Sequence, residues 1–159
     1  MLQNAPDLFY EALHVFTEAL DDFNPNSLYT KFSPDRWSGG EIANHIFKSI
    51  SGLPAVLQGP VEPAYPGRQS QLPMLKTMFL DNPGKMTSPV FILPGNEPIP
   101  KELLKEKLLA VGEGVLIISN SLDLSLVCKM VSFPGELYLT AEEWLSFSGW
   151  HMLRHSKQL

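Results

Sequence analysis

Residues 140–155 read TAEEWLSFSGWHMLRH, and this stretch predicts an apolar helix that carries two histidines one turn apart. Thr140 with Glu143 three residues later forms a capping box, a pattern typical of a helix start. The acidic side chain is also favoured there because the helix N-terminus is partly positive. His151 and His155, at positions i and i+4, then lie on one side of the helix.

The two histidines share the apolar face of this helix. At 100° per residue, Trp144, Phe147 and Ser148 fall in the same sector as His151 and His155. Both imidazoles are therefore expected to point into the protein, where buried polar groups need partners.

Three earlier stretches have helical periodicity. The first runs from about Asp7 to Phe23, with large apolar residues at steps of three and four. The second is capped by Ser38 and Glu41 in another capping box, and Pro54 is expected to end or kink it. The third begins at Lys101 and includes VLIIS (residues 115–119), which is better interpreted as helix than as strand.

A long connection separates the second and third predicted helices. Most of the 14 prolines lie between Pro54 and Pro100, which favours an ordered segment over a flexible linker. It includes a short predicted helix from Met74 to Leu80. After the third helix, LSLVCKMVSF (residues 124–133) is expected to include a short extended segment. The pattern predicts an all-α protein, a four-helix bundle with one long crossover.

Composition narrows the class of protein. The 159 residues suit one domain, residues 1–159, with a single core. A net charge of -5 without a basic stripe argues against nucleic-acid binding. No apolar run reaches the roughly 20 residues of a membrane span. The N-terminal sequence lacks a signal-peptide pattern, so a cytoplasmic location is expected. The lone Cys128 is expected to be a buried, unreactive thiol.

The histidines suggest a metal site. Two imidazoles one turn apart and a third from a facing helix can bind one divalent ion and leave positions open. Spacing alone does not choose between His45 and His14 as the third ligand, although His14 is expected at the surface or boundary. The HxxxH pair alone is more often explained by core histidines that are satisfied by hydrogen bonds. It also lacks the glutamate of the zinc-protease motif.

Two segments resemble signatures of the DinB-like (YfiT-like) superfamily. PDRWSGGEIANHI (residues 34–46) is similar to its second-helix signature, and residues 88–104 resemble the lead into its third helix. PGELYLTAEEWLSFSGWHMLRHSKQL (residues 134–159) is similar to its last-helix signature. The matching residues are Trp37, Ser38, Glu41, His45, Gly135, Glu136, Glu143, Trp144, Leu145, Phe147, His151, Arg154, His155 and Gln158.

This resemblance implies a four-helix bundle of up-down-down-up order and a metal site made of His45, His151 and His155. The ion would be nickel, zinc, iron or manganese. Relatives include thiol S-transferases and a thiol-dependent isomerase, and homodimers are common among them. The candidates for surrounding the site are Trp144, Phe147, Ser148, Arg154 and Gln158. Arg154 has two interpretations, a solvated residue or an anion-binding group, and the first is preferred.

Two functions follow. In the first, the chain is a metal-dependent transferase or hydrolase acting on a small molecule, with a low-molecular-weight thiol as a possible cofactor. No catalytic side chain is identified, and a metal-bound water or thiol is expected to react. In the alternative, the bundle is a non-catalytic module that binds metal, or stays metal-free, and dimerises or binds a partner.

Overall fold

The computed structural model describes residues 3–82 and 84–159, and these residues are mainly helical. They form six α-helices and one antiparallel two-stranded sheet, so the predicted all-α class is confirmed at that level. The elements are α1 (Ala5–Asp21), α2 (Gly39–Ser51), α3 (Leu53–Gln58), β1 (Val61–Glu62), α4 (Leu72–Lys76), α5 (Lys101–Ser119), β2 (Val127–Cys128) and α6 (Ala141–Ser156). Within the two described ranges, no helix has the length and apolarity to cross a bilayer.

Helix α1 packs against α5 and, most extensively, against α6. The Asn4 side chain accepts a hydrogen bond from the backbone N–H of Asp7, so the helix begins two residues earlier than predicted. Its apolar residues at helical spacing are fully buried: Phe9, Leu13, Phe16 and Leu20. This face supplies a large part of the core.

A glycine allows α1 and α5 to approach closely. A Cβ atom added at Gly112 would lie 2.3 Å from Leu13 Cδ2, a distance that real Cβ atoms do not adopt. The sequence suggests only a local weakening of the helix at Gly112. Its packing against Leu13 is the physical reason for a glycine at this point of α5.

Helix α2 has the predicted capping box. The Ser38 backbone N–H donates to Glu41 Oε2 at 2.7 Å, and the Glu41 N–H donates to Ser38 Oγ at 3.2 Å. The helix ends at Ser51, and Pro54 occupies the first turn of α3. Proline fits there because the first backbone N–H groups of a helix have no intrahelical partner. The expected interruption at Pro54 is confirmed.

The remaining local predictions are also confirmed. Residues 115–119 belong to α5, and residues 127–128 form β2, which pairs with β1. Cys128 is fully buried, and burial raises the pKa of its thiol. The predicted short helix of the connection is observed as α4 followed by a π-helical turn, Thr77–Asp81. A 3₁₀ turn, Val90–Ile92, follows before α5.

Candidate metal centre

Three histidines converge where α2 and α6 meet. One ring nitrogen from each of His45, His151 and His155 lies within 4.8 Å of the other two. The side chains are nearly inaccessible, with exposed fractions of 1%, 6% and 9% respectively. Thus the structure brings together the three residues of the expected triad.

His14 lies elsewhere. It is half-buried on α1, with its ring centroid 4.4 Å from that of Tyr10. Only the other three histidines form a potential metal-binding group within residues 3–82 and 84–159. The geometry therefore favours His45 as the third member, the choice that spacing alone leaves open.

Two of the imidazoles have hydrogen-bond partners that orient them. His45 Nδ1 lies 2.8 Å from the carbonyl oxygen of Ile92, which accepts hydrogen bonds but cannot donate them. Neutral His45 therefore has its hydrogen on Nδ1 and a lone pair on Nε2. His155 Nδ1 likewise donates to Gln158 Oε1 at 2.7 Å. Metal-binding histidines are commonly oriented through the second ring nitrogen in this way.

The distance between His45 Nε2 and His151 Nε2 is 3.0 Å. Two imidazole nitrogens bound about 2.0–2.1 Å from one ion lie roughly 2.8–3.4 Å apart at octahedral or tetrahedral angles. The observed distance is within that span, and a set of imidazole donors suits zinc, copper, iron or nickel. The spacing of His45 and His151 therefore fits two imidazoles bound to one transition-metal ion, and His155 lies within reach as a third.

Burial keeps the three imidazoles neutral. It is the main cause that lowers the pKa of His155 to about 4; repulsion from a protonated His45 and from Arg154 acts in the same direction, and the hydrogen bond to Gln158 opposes it. Burial lowers the pKa of His151 well below its usual value, and a proton there would in addition be repelled by protonated His155 or His45 and by Arg154. Burial also lowers the pKa of His45, although its bond to Ile92 opposes this. Neutral imidazoles have the lone pairs that metal binding requires.

Aromatic side chains surround the histidines. Trp37 lies 4.8 Å from His45 between ring centroids, and Phe147 stacks on His151 at 5.5 Å with an interplanar angle of 14°. Phe79, from the connection, contacts the edge of His151 at 5.6 Å. These rings restrict the movement of the imidazoles and exclude water from them.

Trp144 and Ser148 lie on the same helix. The Trp144 ring packs 5.9 Å from Phe147, one layer further from the histidines, and its indole N–H is buried without a hydrogen-bond partner among the described residues. Ser148 is buried one turn before His151. Phe147 and Gln158 thus contact the histidines directly, whereas Trp144 contacts them through Phe147.

Arg154 fixes the connection to α6. Its guanidinium donates to the backbone carbonyls of Asn82 and Gly84, and the residue is half-buried. The preferred interpretation as a solvated residue is therefore replaced by an anchoring role. Sequence offers no signal for this contact because the acceptors are backbone groups about 70 residues away.

Glu143 also anchors the connection. The predicted capping box is present, with Glu143 Oε2 accepting from the Thr140 N–H at 2.9 Å. The same carboxylate forms a two-pronged ion pair with Arg68, at 3.0 and 2.7 Å, and accepts from the Gln71 N–H. Burial alone would raise the pKa of Glu143, but these hydrogen bonds and the Arg68 charge lower it overall.

Comparison with protein-family models, curated proteins and solved structures finds no match to this chain. The interpretation of the centre therefore depends on its geometry.

A small cavity adjoins the His155 side of the centre. Its volume is about 250 Å³, and Gln158 both lines it and contacts His155. The other lining residues are Leu80, Asp81, Asn82, Arg154 and Lys157. Charged groups of both signs therefore line a cavity that is linked to His155 through Gln158.

Proposed function

We propose that this chain is a metal-binding four-helix bundle of the DinB-like type. In this proposal α1, α2, α5 and α6 are the bundle helices, in up-down-down-up order, and residues 59–100 are the long connection between the second and third. The packing of α1 against α5 and α6, and the packing of α2 against the same two helices, support it. The homodimer implied by the resemblance belongs to the same proposal and is tested by light scattering of the purified chain.

The metal ligands in this proposal are His45, His151 and His155. The observation that carries it is the convergence of three buried imidazoles, two of which are held through Nδ1 by Ile92 and Gln158. Ordinary core histidines need hydrogen-bond partners but do not need three ring nitrogens within 4.8 Å of one another. The ion is a divalent transition metal such as nickel, zinc, iron or manganese.

The proposed reaction is transfer or hydrolysis of a small molecule. When bound, the ion would supply Lewis acidity that lowers the pKa of a thiol or water in its open positions. The chain's own residues hold the imidazoles neutral, exclude water with Phe147 and Phe79, and present a cavity beside His155. A low-molecular-weight thiol is the proposed cofactor.

The first experiment is elemental analysis of the untagged protein beside the triple variant His45→Ala/His151→Ala/His155→Ala. We expect about one equivalent of transition metal in the wild type and none in the variant. His14→Ala is the matched control because it removes a histidine outside the centre and should retain the metal. Absence of metal from the wild type, even after incubation with zinc or nickel, would contradict the proposal.

The second experiment tests for catalysis. Metal-loaded protein is assayed with common low-molecular-weight thiols and a panel of electrophilic and hydrolysable small molecules. Turnover that is lost in the triple variant and retained in His14→Ala supports an enzyme. Failure of every combination with fully loaded protein would contradict the enzymatic part of the proposal.

One observation favours a non-catalytic metal site as the second candidate. The three side chains are at most 9% exposed, which limits substrate access. In that case chelation should lower the melting temperature without loss of any turnover, because an ion that binds only the folded state stabilises it. Unchanged melting after chelation would exclude this structural role.

A further inference from the structure

A segment of the connection, residues 90–95, here called the strap, lies along one face of α2. Three α2 side chains contact its backbone. Asn44 Oδ1 accepts from the Gly95 N–H at 2.9 Å, and Lys48 Nζ donates to the Leu93 carbonyl at 2.7 Å. His45, which lies between Asn44 and Lys48 on α2, donates from Nδ1 to the Ile92 carbonyl at 2.8 Å. The strap is therefore bonded to α2 at Ile92 and at two residues that closely follow it.

The strap has little apolar burial of its own. Val90 and Phe91 are 83% and 80% exposed, and Leu93 is also exposed. Segments with few buried apolar contacts have low local stability. The bonds from Asn44 and Lys48 consequently make a large contribution to the position of the Ile92 carbonyl.

That carbonyl determines which nitrogen of His45 carries the hydrogen. While it accepts from Nδ1, the Nε2 lone pair faces His151. If the strap moved away, the Nδ1–H group would lose its acceptor. The imidazole could then rotate or adopt the tautomer with hydrogen on Nε2, which cannot bind a metal through that atom.

We infer that Asn44 and Lys48 are positioning residues of the metal centre, acting on His45 through the strap. This inference rests on the proposed metal-binding function. Neither side chain is a ligand in it, and each acts by fixing the backbone that accepts from His45 Nδ1. The connection thereby contributes to the centre directly, because it supplies the carbonyl that accepts from His45.

The test measures Zn²⁺ affinity of the full chain by competition with a chelator. The variants are Asn44→Leu, Lys48→Met and their double. We expect about a tenfold loss in the double variant, at the lower end of the effects of outer hydrogen-bond partners. Asn44→Asp keeps the acceptor and Lys48→Arg keeps a donor, so neither should lose affinity, and the added negative charge of Asn44→Asp should if anything strengthen Zn²⁺ binding.

The Lys48→Met variant distinguishes lost positioning from lost charge, because the two have opposite effects on Zn²⁺ affinity. Removing a positive charge near the centre strengthens the binding of a cation by Coulomb's law, so weaker binding by Lys48→Met must come from lost positioning. Lys107→Met is the matched control, since Lys107 lies over the Phe47 ring and has no hydrogen bond to the strap. It should bind Zn²⁺ at least as tightly as the wild type.

A second measurement is independent of metal. Nitrogen-15 NMR of the imidazoles reports which ring nitrogen is protonated in the metal-free protein. We expect His45 to be protonated on Nδ1 in the wild type and in both conservative variants, and to populate both tautomers in the double variant. A change in melting temperature alone would not produce this signature.

The outcomes separate the two proposals. If the wild type binds Zn²⁺ and the double variant binds it equally tightly with an unchanged His45 tautomer, this inference is wrong and the metal centre stands. If the wild type binds no transition metal at all, the proposed function is wrong and the inference fails with it.

Discussion

His45 Nε2 and His151 Nε2 lie 3.0 Å apart, and the Ile92 carbonyl accepts a hydrogen bond from the other ring nitrogen of His45, Nδ1. His45 Nε2 therefore presents a lone pair to His151. Two lone pairs cannot face each other at this distance without repulsion, so either a hydrogen or a cation must lie between the two nitrogens. The arrangement suits a metal-free and a metal-bound state with the same backbone.

This relationship predicts a tautomer change in His151. In the metal-free protein we expect its hydrogen on Nε2, where it donates to His45, and after Zn²⁺ binding we expect it on Nδ1. Nitrogen-15 NMR of the imidazoles with and without Zn²⁺ measures the change directly. His151 with its hydrogen already on Nδ1 in the metal-free protein would contradict this prediction.

The pKa of His155, about 4 in the folded protein, predicts lower stability in acid. Between pH 6.5 and about 4 the unfolded chain binds a proton at this histidine and the folded chain does not, so stability falls as the pH falls. At its limit this single group costs about 3 kcal/mol, and His45 and His151 act in the same direction. Above pH 6.5 the contribution is absent.

Urea unfolding of metal-free protein at several pH values between 7 and 4.5 measures this effect. His155→Gln removes the titrating group and should reduce the fall in the free energy of unfolding across the window. His14→Gln is the control for losing a histidine outside the centre. An equal pH dependence in wild type and His155→Gln would show that the imidazole does not resist protonation.

The Arg68–Glu143 pair predicts a large loss of stability on removing one partner. The side chains are only 9% and 3% exposed, and Arg68→Met would leave the carboxylate buried without its cation. The expected cost is about 3 kcal/mol in the free energy of unfolding. Arg36→Met, at an exposed position, is the control for losing an arginine.

A double variant, Arg68→Met/Glu143→Gln, separates the ion pair from the capping role of Glu143. Since the buried charge is then removed as well, we expect it to be more stable than Arg68→Met alone. Denaturant unfolding checks both values. An Arg68→Met protein as stable as the Arg36→Met protein would show that this contact does not hold the connection.

The close approach of Gly112 to Leu13 predicts that a larger residue at position 112 lowers stability. Gly114, on the same helix, provides the comparison. Gly112→Ala forces a methyl group against Leu13, and overpacking of this kind costs about 1–3 kcal/mol, partly offset by better helix propensity. Gly114→Ala meets open space, so only the propensity gain applies, up to about 1 kcal/mol. Thermal unfolding should therefore move in opposite directions for the two variants.

Local chemistry explains which features are predictable from the sequence. Both capping boxes, the helix at residues 115–119 and the buried state of Cys128 follow from residue types within a few positions of one another. The pairing of His151 with His155 follows in the same way from helical spacing. The third histidine does not, because no spacing rule connects α2 with α6 across about a hundred residues.

The contacts made by the connection also cannot be predicted from the sequence. Arg68 and Glu143 are 75 residues apart, and the acceptors for Arg154 and His45 are backbone carbonyls, which every residue possesses. The sequence therefore indicates that the connection is ordered, but not where it is attached. The sequence likewise does not reveal why residue 112 must be glycine, because the reason is the short distance between α1 and α5 at Leu13.

Gln158, an exposed residue that is hydrogen-bonded to His155, allows a test of how the His155 ring is oriented. Its amide oxygen accepts from His155 Nδ1 at 2.7 Å, and its exposed position makes substitution compatible with folding. Gln158→Leu should weaken Zn²⁺ binding about tenfold, whereas Gln158→Glu should match or exceed wild-type affinity because a carboxylate is a stronger acceptor for a metal-bound imidazole. Lys157→Met is the control for a change at the adjacent exposed position. Chelator competition measures all four proteins, and equal affinities for Gln158→Leu and Gln158→Glu would mean that this hydrogen bond does not orient the His155 ring for metal binding.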